Sequence, residues 1–177
     1  MTKVNDAASP DGEAAASSEV RTVDIVFDAK ARALDAFKSE VTVTSQYSNF
    51  SVTLETDEGK LHGGDGSAPM PLHYFAAGAV TCLMTQMKAC AKRLRIPIGD
   101  ISMSANFHWR IEQSGRDPYT SEPVGFDIDI EVEGEAPVED VKRVIDWAKK
   151  GCFAERALAV PCEVGHRLKV GDDWVDV

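Results

Sequence analysis

Two hydrophobic rhythms alternate along the chain, one of period two and one of period 3.6. From Glu19 to Phe27 apolar and polar positions alternate, with Val20, Val23, Ile25 and Phe27 as markers, and the segment reads as a strand. Lys30 to Lys38 fits less cleanly: Ala31, Ala33, Leu34, Ala36 and Phe37 suit a short helix. Period two returns from Glu40 to Asp57, where Val41, Val43, Val52 and Leu54 flank a turn at Ser48-Asn49. A Gly-rich connector follows, Gly59 to Met70. It matches neither phosphate-binding glycine pattern and carries Asp65 where an anion would sit, so a flexible link is the expectation.

Leu72 to Leu94 is predicted as a long helix. Pro71 suits its first turn, Arg93 and Arg95 suit the negative end of its dipole, and Pro97 stops it. At about 100° per residue, Leu72, Phe75, Ala76, Ala79, Val80, Leu83, Met87, Cys90, Ala91 and Leu94 form a broad apolar stripe. A stripe that wide belongs to a central helix packed on more than one side. Cys90 points near its middle and reads as a small core residue. Cys82 lies about 120° away, with Gly78, Thr85, Gln86 and Ala89 as its neighbours. Those small or polar residues leave room beside the sulfur for a partner helix or a ligand.

Beyond Pro97, Ser102–Glu112 and Gly125–Glu133 read as strands joined by a polar loop. In the second, Phe126, Ile128, Ile130 and Val132 alternate with Asp127, Asp129 and Glu131, so one face meets the core. Pro137 and Glu139-Asp140 open a second helix, with a stripe of Val138, Val141, Val144, Ile145 and Ala148 that runs to about Lys150. A short helical turn from Glu155 to Ala159 follows. Two strands, Glu163–Val170 and Asp173–Val177, turn at Gly171-Asp172. Strands, long helix, strands, second helix, strands: the order is α+β, with helices packed on antiparallel sheet.

Composition narrows the function. The formal charge of −10 repels phosphate backbones and anionic lipid headgroups, which argues against nucleic-acid and membrane partners. No apolar run approaches the roughly 20 residues that span a bilayer. Residues 1–18 lack the basic start and apolar middle of a signal peptide and read as a disordered leader before a domain at 19–177. A cytoplasmic location is the expectation. Cys82, Cys90, Cys152 and Cys162 are too few for a disulfide scaffold and rest as thiols unless one pair is redox-active. No CxxC, HxxxH or HExxH occurs, so no metal site is expected.

PLHYFAAGAVTC, Pro71 to Cys82, resembles the cysteine helix of the OsmC/Ohr family, a Pro-led run of small and apolar residues ending in Cys. GCFAERAL, Gly151 to Leu158, resembles the same family's second cysteine motif. Element order agrees across residues 40–176. The resemblance implies the family's α+β fold, antiparallel sheets around two central helices in an intertwined homodimer whose sites are built from both subunits. It also implies a peroxidase that works with cysteine alone and needs no cofactor. Cys82 would attack an organic hydroperoxide and become a sulfenic acid, Cys152 would resolve it as a disulfide, and an external dithiol would reduce that bond.

The family activates its thiolate with an Arg from the N-terminal β region and a Glu near the start of the first helix. Arg21 and Arg32 are candidates for the former, with Arg156 a local alternative; the position matching the Glu is Leu72, beside His73. Leu72, Phe75 and Met84 would line a pocket suited to alkyl or lipid hydroperoxides. His73 reads as a hydrogen-bonded interface residue, Cys162 as a structural thiol at a strand entrance, and the three tryptophans as core or dimer aromatics. The competing reading is a non-catalytic relative in which both cysteines only pack and the pocket holds an apolar ligand.

Overall fold

The computed structural model describes residues 20–177, so the expected leader at 1–18 lies outside the described residues, as does Glu19. Ten elements follow: β1 (Phe27–Ala33), β2 (Ser39–Ser45), β3 (Ser51–Thr56), α1 (Pro71–Leu94), β4 (Ile101–Glu112), β5 (Thr120–Val132), α2 (Val138–Gly151), α3 (Phe153–Ala159), β6 (Arg167–Val170) and β7 (Asp173–Asp176). They form three separate antiparallel sheets, β1-β2-β3, β4-β5 and β6-β7, around two main helices. The fold is α+β.

The core lies in the seam between α1 and α2. Leu83, Met87 and Ala91 of α1 meet Val144, Ala148 and Cys152, the last three fully buried at i, i+4 and i+8 along α2 and its cap. Ile101 and Met103 of β4 with Ile128, Ile130 and Val132 of β5 close the cluster from below. Their register pairs Ile101 with Val132 and Met103 with Ile130, which keeps the apolar positions on one face. Helix α1 ends as its sequence requires. Arg95 adopts φ 57°, its N–H bonds to the Lys92 carbonyl, and the Ile96 N–H bonds to Ala91 at 3.0 Å. This left-handed cap turns the nearly buried Ile96 onto the core before Pro97.

Several expectations are corrected. Lys30–Lys38 is not a helix: residues 30–33 belong to β1, and bends follow. The alanines favour helix locally, but pairing of Ala29 and Ala31 with Val43 and Val41 decides the outcome. Val20–Val26 forms no strand; among the described residues its backbone bond to a neighbour is the Val26 carbonyl accepting from Gln46 N. The last hairpin is shorter than expected, with residues 163–166 outside β6. Strand β5 starts earlier, at Thr120, and accommodates Pro123 opposite Trp109 where the register shifts. A two-stranded ribbon leaves that proline an open edge.

The Gly-rich link is held at both ends rather than loose. Buried Asp57 accepts from Glu58 N and Ser67 N at 2.8 Å and from Ser67 Oγ at 3.0 Å. The Asp65 carboxyl and these donors hold the Asp57 carboxyl down to about 2. Glu58, His62 and Tyr119 continue the anchoring, with His62 Nδ1 3.3 Å from Glu58 and Nε2 3.2 Å from the Tyr119 hydroxyl. Tyr74 Oη donates to the Glu55 carbonyl at 2.9 Å and joins the start of α1 to β3.

Candidate active site

Helix α1 carries Cys82 on a face cleared of bulk. Gly78 and Ala89 have little or no side chain, and the Thr81 and Thr85 hydroxyls bond back to Ala77 and Thr81 carbonyls of their own helix. The room expected beside Cys82 is filled by α3 and the junction that precedes it. There α2 ends, and Cys152 at φ −77°, ψ 112° breaks the helical path and caps α3. Gly151 allows the close approach: a Cβ there would stand 3.1 Å from Gln86 Oε1 of α1. The Cys82 side chain adjoins Cys152 directly, and both are free thiols.

The two sulfurs occupy different environments. Cys82 is half-buried, whereas Cys152 is fully buried. Burial pushes the Cys152 thiol above its ordinary value and the adjoining Cys82 adds to the rise, while the Glu155 and Ala154 N–H groups oppose it. The Glu155 N–H donates to Cys152 Sγ at 3.4 Å, the thiol counterpart of a serine or threonine cap. This geometry can form a disulfide from one accessible and one sheltered sulfur. The sheltered one remains protonated until it reacts.

The other candidates spread out. Leu72 is 52 % exposed at the start of α1. His73 caps its own helix, Nδ1 accepting from Met70 N at 3.0 Å. Phe75, exposed in part, joins Phe107, Trp109 and Phe126 in a cluster with ring centroids 4.8–6.4 Å apart. Seven residues separate Phe75 from Cys82, so both lie on one side of α1 about 10 Å apart along its axis. Met84 is half-buried.

Arg21 is exposed on the unpaired segment before β1. Arg32 is bound to Glu40, its Nη2 at 3.0 Å, on the exposed side of the hairpin. Arg156 is exposed on α3. Among the described residues none of the three makes a hydrogen bond or ion pair with Cys82 or Cys152. Cys90 is half-buried beside Trp147 rather than central, and Cys162 is exposed. Trp147 lies beneath Lys150, and Trp174 beneath Arg167. Among the described residues no group of three His, Cys, Asp or Glu side chains is placed to hold a metal ion, and no helix is long and apolar enough to cross a membrane.

One feature of the site escaped the sequence reading. Glu155 Oε2 is buried without a hydrogen-bond partner among the described residues. The signal available was the spacing of Cys152 and Glu155, that of a capping box with cysteine in the serine position.

Comparison with known proteins shows the family and the fold. The family model described as OsmC-like protein matches residues 64–167, which include both cysteines. An OsmC-like hydroperoxide resistance protein from Jannaschia sp. CCS1 is 36% identical, with 86% of this chain and 98% of that one covered and a TM-score of 0.60. Organic hydroperoxide resistance proteins from Legionella pneumophila (19% identity, 75% and 88% covered, TM-score 0.54) and Elizabethkingia anophelis (20%, 78% and 90%, 0.54) share the fold. No curated protein matches the chain in sequence. A family model spanning more than half of the chain and a relative at 36% identity over most of it place this protein in the OsmC-like family.

Proposed function

We propose that the protein is a thiol-dependent peroxidase that reduces organic hydroperoxides through Cys82 and Cys152. The observation that carries this reading is the meeting of these two thiols, 70 positions apart in sequence, at the α1–α3 junction. The Cys82 thiolate attacks the distal oxygen of the hydroperoxide, releasing an alcohol and leaving a sulfenic acid. Cys152 then displaces the hydroxyl to form the disulfide, and an external dithiol restores both thiols. The partial exposure of Cys82 and the burial of Cys152 suit these roles, since the first sulfur must meet substrate and the second only the first sulfur. The aromatic cluster around Phe75 supplies an apolar approach for an alkyl or aryl substituent.

The working unit in this reading is a homodimer. Phe75, Phe153, Leu168, Trp174 and the unpaired residues Val20, Val23 and Ile25 are exposed in the single chain, more apolar surface than a monomer keeps in water. The second chain would also bring a cation to pair with the Cys82 thiolate, with exposed Arg21 on the segment before β1 a candidate. We place the protein in the cytoplasm, where dithiol reductants are available, as a single OsmC-like domain over residues 19–177.

The competing reading, a binder of apolar ligands, draws on Leu72 where the family has Glu and on the same aromatic cluster. Counting thiols after adding cumene hydroperoxide to the reduced protein separates the two. The peroxidase loses two thiols rapidly, Cys82→Ser leaves the pair unreactive, and Cys152→Ser yields a trappable sulfenic acid. Slow loss that neither substitution alters would favour the binder.

A further inference from the structure

Cys152 is fully buried and its thiol is held protonated by that burial, yet it must give up a proton to become a nucleophile. One turn further along α3, Glu155 holds Oε2 away from solvent with no hydrogen-bond partner among the described residues. An unmatched buried carboxylate oxygen is costly and rare in folded proteins. Thus the same turn contains one buried proton that must leave and one buried acceptor with nothing on it.

Local geometry joins them. Cys152 is the cap residue of α3, and Glu155 occupies the third helical position, with its N–H on Cys152 Sγ at 3.4 Å. In a complete capping box the glutamate side chain at that position reaches back to the cap residue. Among the described residues that return bond is not made, and Oε2 stays unpartnered on the same turn whose backbone N–H holds Cys152 Sγ. Among the described residues the titratable side chain that acts on Cys152 is Cys82 from α1, while Lys149 and Lys150 at the end of α2 and Arg156 on α3 are cationic and exposed.

We propose that Glu155 is the base that takes the Cys152 proton as the Cys82–Cys152 disulfide forms, a role that rests on the pairing of these thiols in the reading above. As Cys152 Sγ attacks the sulfenic sulfur of Cys82, the S–S bond forms, the S–O bond breaks, and the S–H proton passes to Glu155. The carboxyl then delivers it to the departing hydroxide. One sulfenic acid and one thiol become one disulfide and one water, and the carboxylate is regenerated. The sulfenic sulfur is reduced and the thiol sulfur oxidised, so no further oxidant enters. Glu155 does not replace the glutamate that Leu72 displaces. It acts on the second thiol, at the second step.

The step can be followed without any peroxide. In the full chain carrying Cys90→Ser and Cys162→Ser, dithionitrobenzoate converts Cys82 to a mixed disulfide, and attack by Cys152 releases a second coloured thiolate. Loss of a general base slows such a step by about 10²–10⁴-fold. Glu155→Gln is therefore expected to slow the second release at least tenfold, and to make its rate rise with hydroxide concentration where the parent rate is flat. Glu155→Asp restores part of the rate and of the flat profile. With cumene hydroperoxide, Glu155→Gln accumulates a Cys82 sulfenic acid that dimedone traps although Cys152 is present.

A second release within twofold of the parent, with the same pH profile, would overturn the assignment. So would equal slowing in the Asp and Gln variants with an unchanged pH profile, because residue 155 would then contribute packing alone. If the hydroperoxide leaves Cys82 reduced while Glu155 still governs the second release, the peroxidase reading falls and the base assignment stands.

Discussion

For the homodimer proposed above, dilution should unfold the chain rather than merely separate two folded subunits. A folded monomer of 19.2 kDa exposes about 8,400 Å², whereas the chain exposes 14890 Å². Fully extended, the nineteen residues outside the described segment would account for at most about 3,000 Å² of the difference. An excess of about 3,500 Å² per chain remains, about 7,000 Å² for a pair, which exceeds the roughly 2,000–5,000 Å² total that many obligate homodimers bury. The core agrees with the shortage: among the described residues eight hydrophobic residues are buried, all in or beside the α1–α2 seam. A separated chain then has too little core to remain folded, and association and folding become one equilibrium. Each tenfold dilution weakens the folded dimer by about 1.4 kcal/mol. With an unfolding entropy of about 0.7 kcal/mol/K for two chains of this length, Tm falls by about 2 °C per decade. Circular-dichroism melts from about 50 μM to about 0.5 μM should show a drop of about 4 °C, with sedimentation reporting dimer wherever helix persists. A constant Tm, together with a folded species at the monomer mass, would refute the reasoning.

Other consequences concern single residues. Met87→Ala removes a fully buried side chain from the α1–α2 seam and should destabilise by roughly 2–5 kcal/mol, read as a lower denaturant midpoint at constant slope. Because the Asp57 carboxyl is held to about 2 in the fold, its contribution is complete above the ordinary value of 3.8 and is lost as pH falls from there towards 2. Asp57→Asn should flatten that acid limb in pH-dependent melts. The Cys152 thiol is raised above 9.0, so its contribution is complete below that value and is lost as pH rises through the folded-state value. The alkaline limb of stability should therefore shrink in Cys152→Ala, and iodoacetamide should label exposed Cys162 long before Cys152.

Where one periodicity dominated and punctuation was strong, the sequence described the molecule well. Pro71 and Pro97 bracket α1, Val144 and Ala148 place α2, and the alternation of Ile128, Ile130 and Val132 fixes the inner face of β5. The juxtaposition of Cys82 and Cys152 followed from the family resemblance, and the small face of α1 around Gly78 and Ala89 agreed with it. Misreadings arose where structure depends on a neighbour. Ala31 and Ala33 favour helix until Val41 and Ser39 pair with them, and Val20 to Val26 alternates like a strand but joins no sheet among the described residues. Cys90 falls within the apolar stripe, yet α2 covers the side of α1 marked by Met87 and leaves Cys90 at the rim with Trp147. The position of Glu155 was invisible for a similar reason. A charged residue in a short helix ordinarily faces water, whereas the fold buries Glu155 Oε2.

Peptide mapping under non-reducing conditions, after one equivalent of cumene hydroperoxide per reduced chain, reads the proposed pairing itself. One alcohol is expected per disulfide, with the Cys82 peptide joined to the Cys152 peptide and Cys90 and Cys162 still free. Unreacted Cys82 and Cys152, or oxidation confined to exposed Cys162, would contradict it.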